Sequence, residues 1–185
     1  MADFKIALRE TLGIEGGISN NPKDRGGFTY KGISRKAWPY WEGWSIVDRW
    51  LNNWSNIHPD DVSKLDYLVE RFYRENFWDR ISLSNIINQK IANELFDTGV
   101  NAHPKKAVRF LQTALNLLNR NGELYEDISV DEILGIKTLD LTNKHPYPDA
   151  LLKLLNGLQL SYYIAICEKD PSQEEFLRGW LKRVI

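Results

Sequence analysis

Between Ile14 and Ile33 the chain carries five glycines together with Asn20, Asn21, Pro22 and Asp24, while the sequence on either side repeats its apolar residues at helical intervals. A helix does not persist through such a stretch, because glycine weakens helix interiors and Asn, Asp and Pro favour turns. Short strands fit near Phe28 to Ile33. The expected fold is therefore mainly α, with one small β/loop region close to the N-terminus.

The flanking helices can be placed from their caps and stripes. Asp3 caps a first helix whose apolar face is Phe4, Ala7, Leu8 and Leu12, and Gly13 suits its stop. His58-Pro59-Asp60-Asp61 opens another, with proline in the first turn and carboxylates at the positive end of the dipole. Its expected buried stripe is Val62, Leu65, Leu68, Val69 and Phe72. Further helices are expected over Ile91 to Val100, over Pro104 to Asn119 with Val108, Leu111, Leu115 and Leu118 inward, and over Asp149 to Glu168. Ser172-Gln173-Glu174-Glu175 has the spacing of a capping box and predicts a last helix through Trp180. The shift near Asn85 to Gln89 divides the chain into an expected first region, 1–88, and a helical second region, 89–185, packed on it.

Among 185 residues, 24 basic and 25 acidic side chains nearly cancel, so no strong field draws nucleic acid or an anionic membrane to the chain. No window reads as a membrane span, and Met1-Ala2-Asp3-Phe4-Lys5-Ile6 does not read as a secretory signal. Synthesis in the cytoplasm and a monomeric state are expected. Cys167 lies in an apolar run and is expected to pack. His58, His103 and His145 each precede proline, which suits turns and helix starts better than metal ligation. No metal or cofactor is expected.

Glu15, followed by Gly16-Gly17, leaves its carboxyl open to a bulky ligand, and Asp24 and Thr29 follow beyond a turn. Hydrolysis of a glycosidic bond needs one carboxylic acid to protonate the leaving oxygen and a second group to handle water or the sugar cation. Glu15, Asp24 and Thr29 are the candidate catalytic set. Trp38, Trp41, Trp44, Trp50 and Trp54 offer flat faces to sugar rings, but the spacing of Trp38 with Trp41 and of Trp50 with Trp54 is helical and favours a packed core.

The stretch from Glu15 to Ile33 closely resembles the N-terminal signature of glycoside hydrolase family 108: a Glu-Gly-Gly core, Asp24-Arg25-Gly26-Gly27-Phe28-Thr29 as its Asp-x-Gly-Gly-x-Thr turn, and Gly32-Ile33. The glutamate, aspartate, threonine order is also similar to that of phage lysozymes. Phe72 to Asp79 resembles the family's aromatic helix. Leu95 to Asn101, Phe110 to Leu115, Asp131 with Gly135 and Thr138, and Gly179 to Val184 resemble the partner region predicted to bind peptidoglycan. Departures are Ile18 for a tyrosine, Arg25 for a proline, and Glu132 and Ile136 for a glycine and a proline.

The resemblance implies a lysozyme-like helical fold and a muramidase that cuts the β-1,4 link from N-acetylmuramic acid to N-acetylglucosamine in peptidoglycan strands. Glu15 would be the general acid, Asp24 the ionised partner, and Thr29 the group that places water. The acid needs a pKa raised by about 2 units through desolvation, for which Ile14, Ile18 or Phe28 would supply the wall. Similarity to phage lysozymes implies inversion, which requires a carboxyl separation of about 6.5–9.5 Å rather than about 5–5.5 Å. A lytic transglycosylase and a non-catalytic peptidoglycan-binding or secretion-linked accessory protein, such as the secretion activators among such proteins, are the alternatives. Without a signal segment, action on the wall after release or export fits a phage or prophage endolysin.

Overall fold

The computed structural model of the chain describes residues 1–13, 17–20, 27–52 and 58–184. Helix α1 spans Phe4–Leu12, and Asp3 caps it by accepting from the amides of Lys5 and Ile6. An antiparallel sheet follows in the order β1 (Ile18–Asn20), β2 (Phe28–Tyr30), β3 (Ile33–Ser34). Helices α2 (Trp44–Asn52) and α3 (Pro59–Tyr73) come next. Then follow α4 (Gln89–Asn101), α5 (Pro104–Leu117), α6 (Ile136–Lys144), α7 (Pro148–Lys169) and α8 (Glu174–Trp180). The mainly α architecture expected from the pattern is the one observed.

Helix α4 is the hub, packing against α1, α5 and α7. Ile91, Ala92, Leu95 and Phe96 are all buried, and one apolar cluster runs from Ala2 to Leu155. Phe4 of α1 meets Phe96 and Trp78 edge-on, with centroids 5.9 and 5.6 Å apart. The Trp78 indole N–H is satisfied by Ser84 Oγ at 2.7 Å. Gln89 closes the start of α4 onto α1, accepting from the Asp3 amide and donating to the Asp3 carbonyl.

Several details differ from the sequence pattern. Val62, expected in the buried stripe of α3, is 39% exposed, while Leu65, Leu68, Val69 and Phe72 are buried. Position 62 lies in the first turn of α3. After α3 the chain widens into a π turn over Arg74–Trp78, which periodicity at 3.6 residues does not anticipate. The capping box at Ser172 does not form. Asp170 instead accepts from the Ser172 amide and hydroxyl, capping a 3₁₀ turn that leads into α8. Trp38 and Trp41 precede α2 and lie outside any helix, so their spacing is not helical packing.

By length and apolarity α7 passes as a membrane span, contrary to the sequence expectation. Its packing argues for a core helix: Asn156 and Gln159 are buried, and Gln159 Nε2 donates to Asp97 of α4 at 2.9 Å. Cys167 is buried, as expected. His58 and His103 accept from backbone amides as N-caps of α3 and α5, and His145 ends α6.

Candidate active site

Of the candidate catalytic set, Thr29 is the residue whose surroundings are described; Glu15 and Asp24 lie outside the described residues, as do Ile14 and Trp54. The described frame around them is well defined. Helix α1 ends at the cap Gly13, two positions before Glu15 in sequence. The chain is described again from Gly17, whose carbonyl accepts from the Lys31 amide at 2.8 Å. Strands β1 and β2 pair Ile18 with Tyr30, Ser19 with Thr29 and Asn20 with Phe28, while β2 and β3 pair Thr29 with Ser34.

This register sorts the sheet into two faces, because side chains alternate along a strand and directly paired residues share a side. Ile18, Tyr30, Ile33 and Phe28 take one face. Phe28 meets Trp44 at 5.9 Å, and Tyr30 stacks on Trp41 and meets Trp50 edge-on. Ser19, Thr29 and Ser34 form a hydroxyl row on the other. Phe28 therefore faces the tryptophan cluster and does not share a face with Thr29. Ile18, also on the cluster's side, is 37% exposed.

The hairpin is fixed to α3 at its tight end. Lys31 and Gly32 both have positive φ, 43° and 78°, as the two central residues of a right-twisted two-residue turn require. Tyr73 donates its hydroxyl to the Lys31 carbonyl at 2.7 Å, and the Lys31 ammonium lies 2.7 Å from Asp66. Thr29 is thereby held on a sheet anchored at both its back and its turn.

The tryptophans are mainly that backing. Trp44 is 5% exposed and its N–H donates to the Trp38 carbonyl at 2.7 Å. Trp41 meets Trp44 edge-on at 5.1 Å and packs on Tyr30 and Phe72. Trp38, 37% exposed, keeps an open edge beside the fully exposed Tyr40, where a recess of about 300 Å³ opens toward Arg71 and Asn76.

A larger cavity of about 450 Å³ lies at the C-terminal end of α1, between α1, α4 and α7. Glu10 and Thr11 come from α1, Lys90, Asn93, Glu94 and Asp97 from α4, Leu152 and Asn156 from α7, and Arg183 from the segment after α8. Asp97 is paired at both oxygens: Arg183 Nη1 donates to one at 2.7 Å and Gln159 to the other. Glu94 is 7% exposed and accepts one long bond, 3.3 Å from the Thr98 hydroxyl. Burial, and secondarily the negative charge of Asp97, push its pKa up to about 8. Burial therefore favours its protonated form. Sequence reasoning did not single out Glu94 or Arg183, although a signal exists: Ile91, Glu94, Leu95 and Thr98 make one helical stripe, and a carboxylate in a buried stripe is unusual.

Comparison with known families adds to this geometry. Residues 8–102 match the model described as glycosyl hydrolase 108, and residues 106–185 match the predicted peptidoglycan domain. The chain belongs to the glycosyl hydrolase 108 family. As a member of that family it is a glycoside hydrolase, with peptidoglycan as substrate or partner. No curated protein matches the sequence. SagA of Brucella abortus is structurally similar, with a TM-score of 0.63 and 22% identity over 98% of this chain and 88% of that one. At that identity the likeness carries the lysozyme-like fold. In glycosyl hydrolase 108 terms, the larger cavity lies where the two matched regions meet: Glu10 to Asp97 fall in the first, and Leu152, Asn156 and Arg183 in the second.

The second matched region also explains its short turn motif. Gln112 of α5 donates to Asp131 at 2.7 Å and accepts from the Glu132 amide at 2.9 Å, with Thr138 at 3.4 Å. Two segments separated in sequence thus meet on one amide side chain. Glu132 sits at φ 65°, a conformation that suits the glycine usual there, and its side chain pairs with Arg109 at 3.2 Å.

Proposed function

We propose that the protein is an N-acetylmuramidase that cleaves the β-1,4 bond between N-acetylmuramic acid and N-acetylglucosamine. Glu15 protonates the leaving oxygen. Asp24, ionised, activates water or stabilises positive charge on the sugar, and Thr29 places that water. The observation that carries the reading is the Glu15, Asp24, Thr29 order inside the matched region, with Thr29 on the hydroxyl face of an anchored hairpin. In this reading the chain acts as a monomer on the wall after release or export from the cytoplasm, in the manner of an endolysin.

Purified cell walls provide the test. The native protein is expected to lower turbidity and release soluble muropeptides with reducing ends, and Glu15→Gln to release none. Anhydro-muramic ends in the product would instead assign a lytic transglycosylase. Wall binding without release would favour an accessory protein.

A further inference from the structure

The cavity between α1, α4 and α7 is built like a ligand site rather than a packing defect. Packing defects are apolar, whereas this one is lined by Asp97 and by Glu94, Asn156 and Arg183, the last three more than nine-tenths buried. Its volume of about 450 Å³ falls within the range of about 300–1,000 Å³ typical of small-ligand pockets. Each Asp97 oxygen already accepts one bond within the protein. Glu94 differs. One oxygen accepts weakly from Thr98, and the other makes no hydrogen bond among the described residues. Leu152 adds an apolar wall, and Lys90, with no ion pair among the described residues, stands at the exposed mouth.

We propose that this cavity is a subsite for an N-acetylated amino sugar of the wall glycan, in which Glu94 donates a hydrogen bond from its second carboxyl oxygen to the sugar's amide oxygen. The inference rests on the muramidase reading for the identity of the glycan. A carboxylic acid held neutral is a strong donor to a carbonyl, while a carboxylate in the same place would repel it. The mixture of donors and acceptors around one apolar wall suits a sugar carrying hydroxyls and an acetyl methyl. Such a subsite also accounts for the junction of the two matched regions, since neither region alone encloses the cavity.

The ionisable groups around Glu94 are Glu10 from α1, Lys90 and Asp97 on α4 itself, Tyr163 from α7 and Arg183. No ionisable residue of α5 lines the cavity among the described residues. Tyr163 is raised further still by its burial and does not titrate near pH 8.

The experiment uses stem-free glycan strands and calorimetry in the full-length Glu15→Gln background, so that the ligand survives. Affinity is expected to fall as pH rises through about 8. Glu94→Gln keeps a donor, and its affinity should be flat across that range. Glu94→Leu should bind about tenfold more weakly or worse. A flat profile in the Glu94-containing protein, or folded Glu94→Leu binding as tightly, overturns the subsite; so does an absence of binding. If Glu94→Leu fails to fold, the pH profiles with Glu and Gln decide. Glu94-dependent binding with no muropeptide release by the native protein sinks the muramidase reading and keeps the subsite. Release with Glu94-independent binding does the reverse.

Discussion

Arg183 Nη1 donates to Asp97 Oδ1 at 2.7 Å across 86 positions of sequence, with the two side chains 5% and 12% exposed. The pair clamps the last segment of the chain onto the hub helix. Breaking a buried pair leaves the other charge without compensation, which costs about 3–5 kcal/mol, although replacing both partners by apolar groups is often neutral. Asp97→Ala is therefore expected to lower the urea midpoint sharply, and an Asp97→Leu, Arg183→Met double variant to lose less. Equal losses in the two variants would show that the pair is not the clamp.

Glu94 makes stability depend on pH in the direction opposite to an ion-paired carboxylate. Its folded pKa of about 8 lies above the ordinary value of 4.5, so between those values the native state binds a proton that the unfolded state has lost. The stabilisation is fully present below about pH 4.5 and is lost progressively as pH rises to about 8, at up to about 1.4 kcal/mol per pH unit. Urea unfolding from pH 5 to 9 should show this decline in the native protein and lack it in Glu94→Gln. Parallel curves would place the Glu94 titration near its ordinary value.

Gly43 sits under the Trp41 ring so closely that an added Cβ would overlap the six-membered ring. The ring is also held by Tyr30, Trp44 and Phe72, and cannot yield without disturbing the backing of the sheet. Gly43→Ala is expected to cost about 1–3 kcal/mol, the range for overpacking, with a change in tryptophan emission. A variant as stable as native would mean that Trp41 can move aside without loss.

What is legible in the sequence follows from how local each signal is. Asp3, His58-Pro59 and His103-Pro104 mark helix starts because caps are satisfied by neighbouring amides. The π turn at Arg74–Trp78 is not legible, since a 3.6-residue pattern carries no mark of it and it packs against α4, far along the chain. Helix α6 carries no start signal beyond a turn motif; its Gly135 cap makes no side-chain bond, and Ile136 at its start is exposed. The hydroxyl row of Ser19, Thr29 and Ser34 depends on strand register, which spacing between turns does not specify. Glu94 and Arg183 come together only through tertiary packing, and their residue types alone suggest solvated surface.

The catalytic assignment is exposed most directly by Glu15→Gln, which keeps the size and polarity of the side chain and removes only the transferable proton. Its fold and its affinity for glycan strands should be unchanged. Without an acid at the leaving oxygen, wall hydrolysis should fall by about 10²–10⁴-fold, the contribution of general acid catalysis. Asp24→Asn should fall less, since solvent can replace part of a water-positioning role. Thr29→Ser, which keeps the hydroxyl on the same face of the sheet, should stay close to native, and Thr29→Val should not. Near-native muropeptide release by folded Glu15→Gln would remove Glu15 as the acid, and the role would pass to one of the remaining carboxyls, beginning with buried Glu94 on α4.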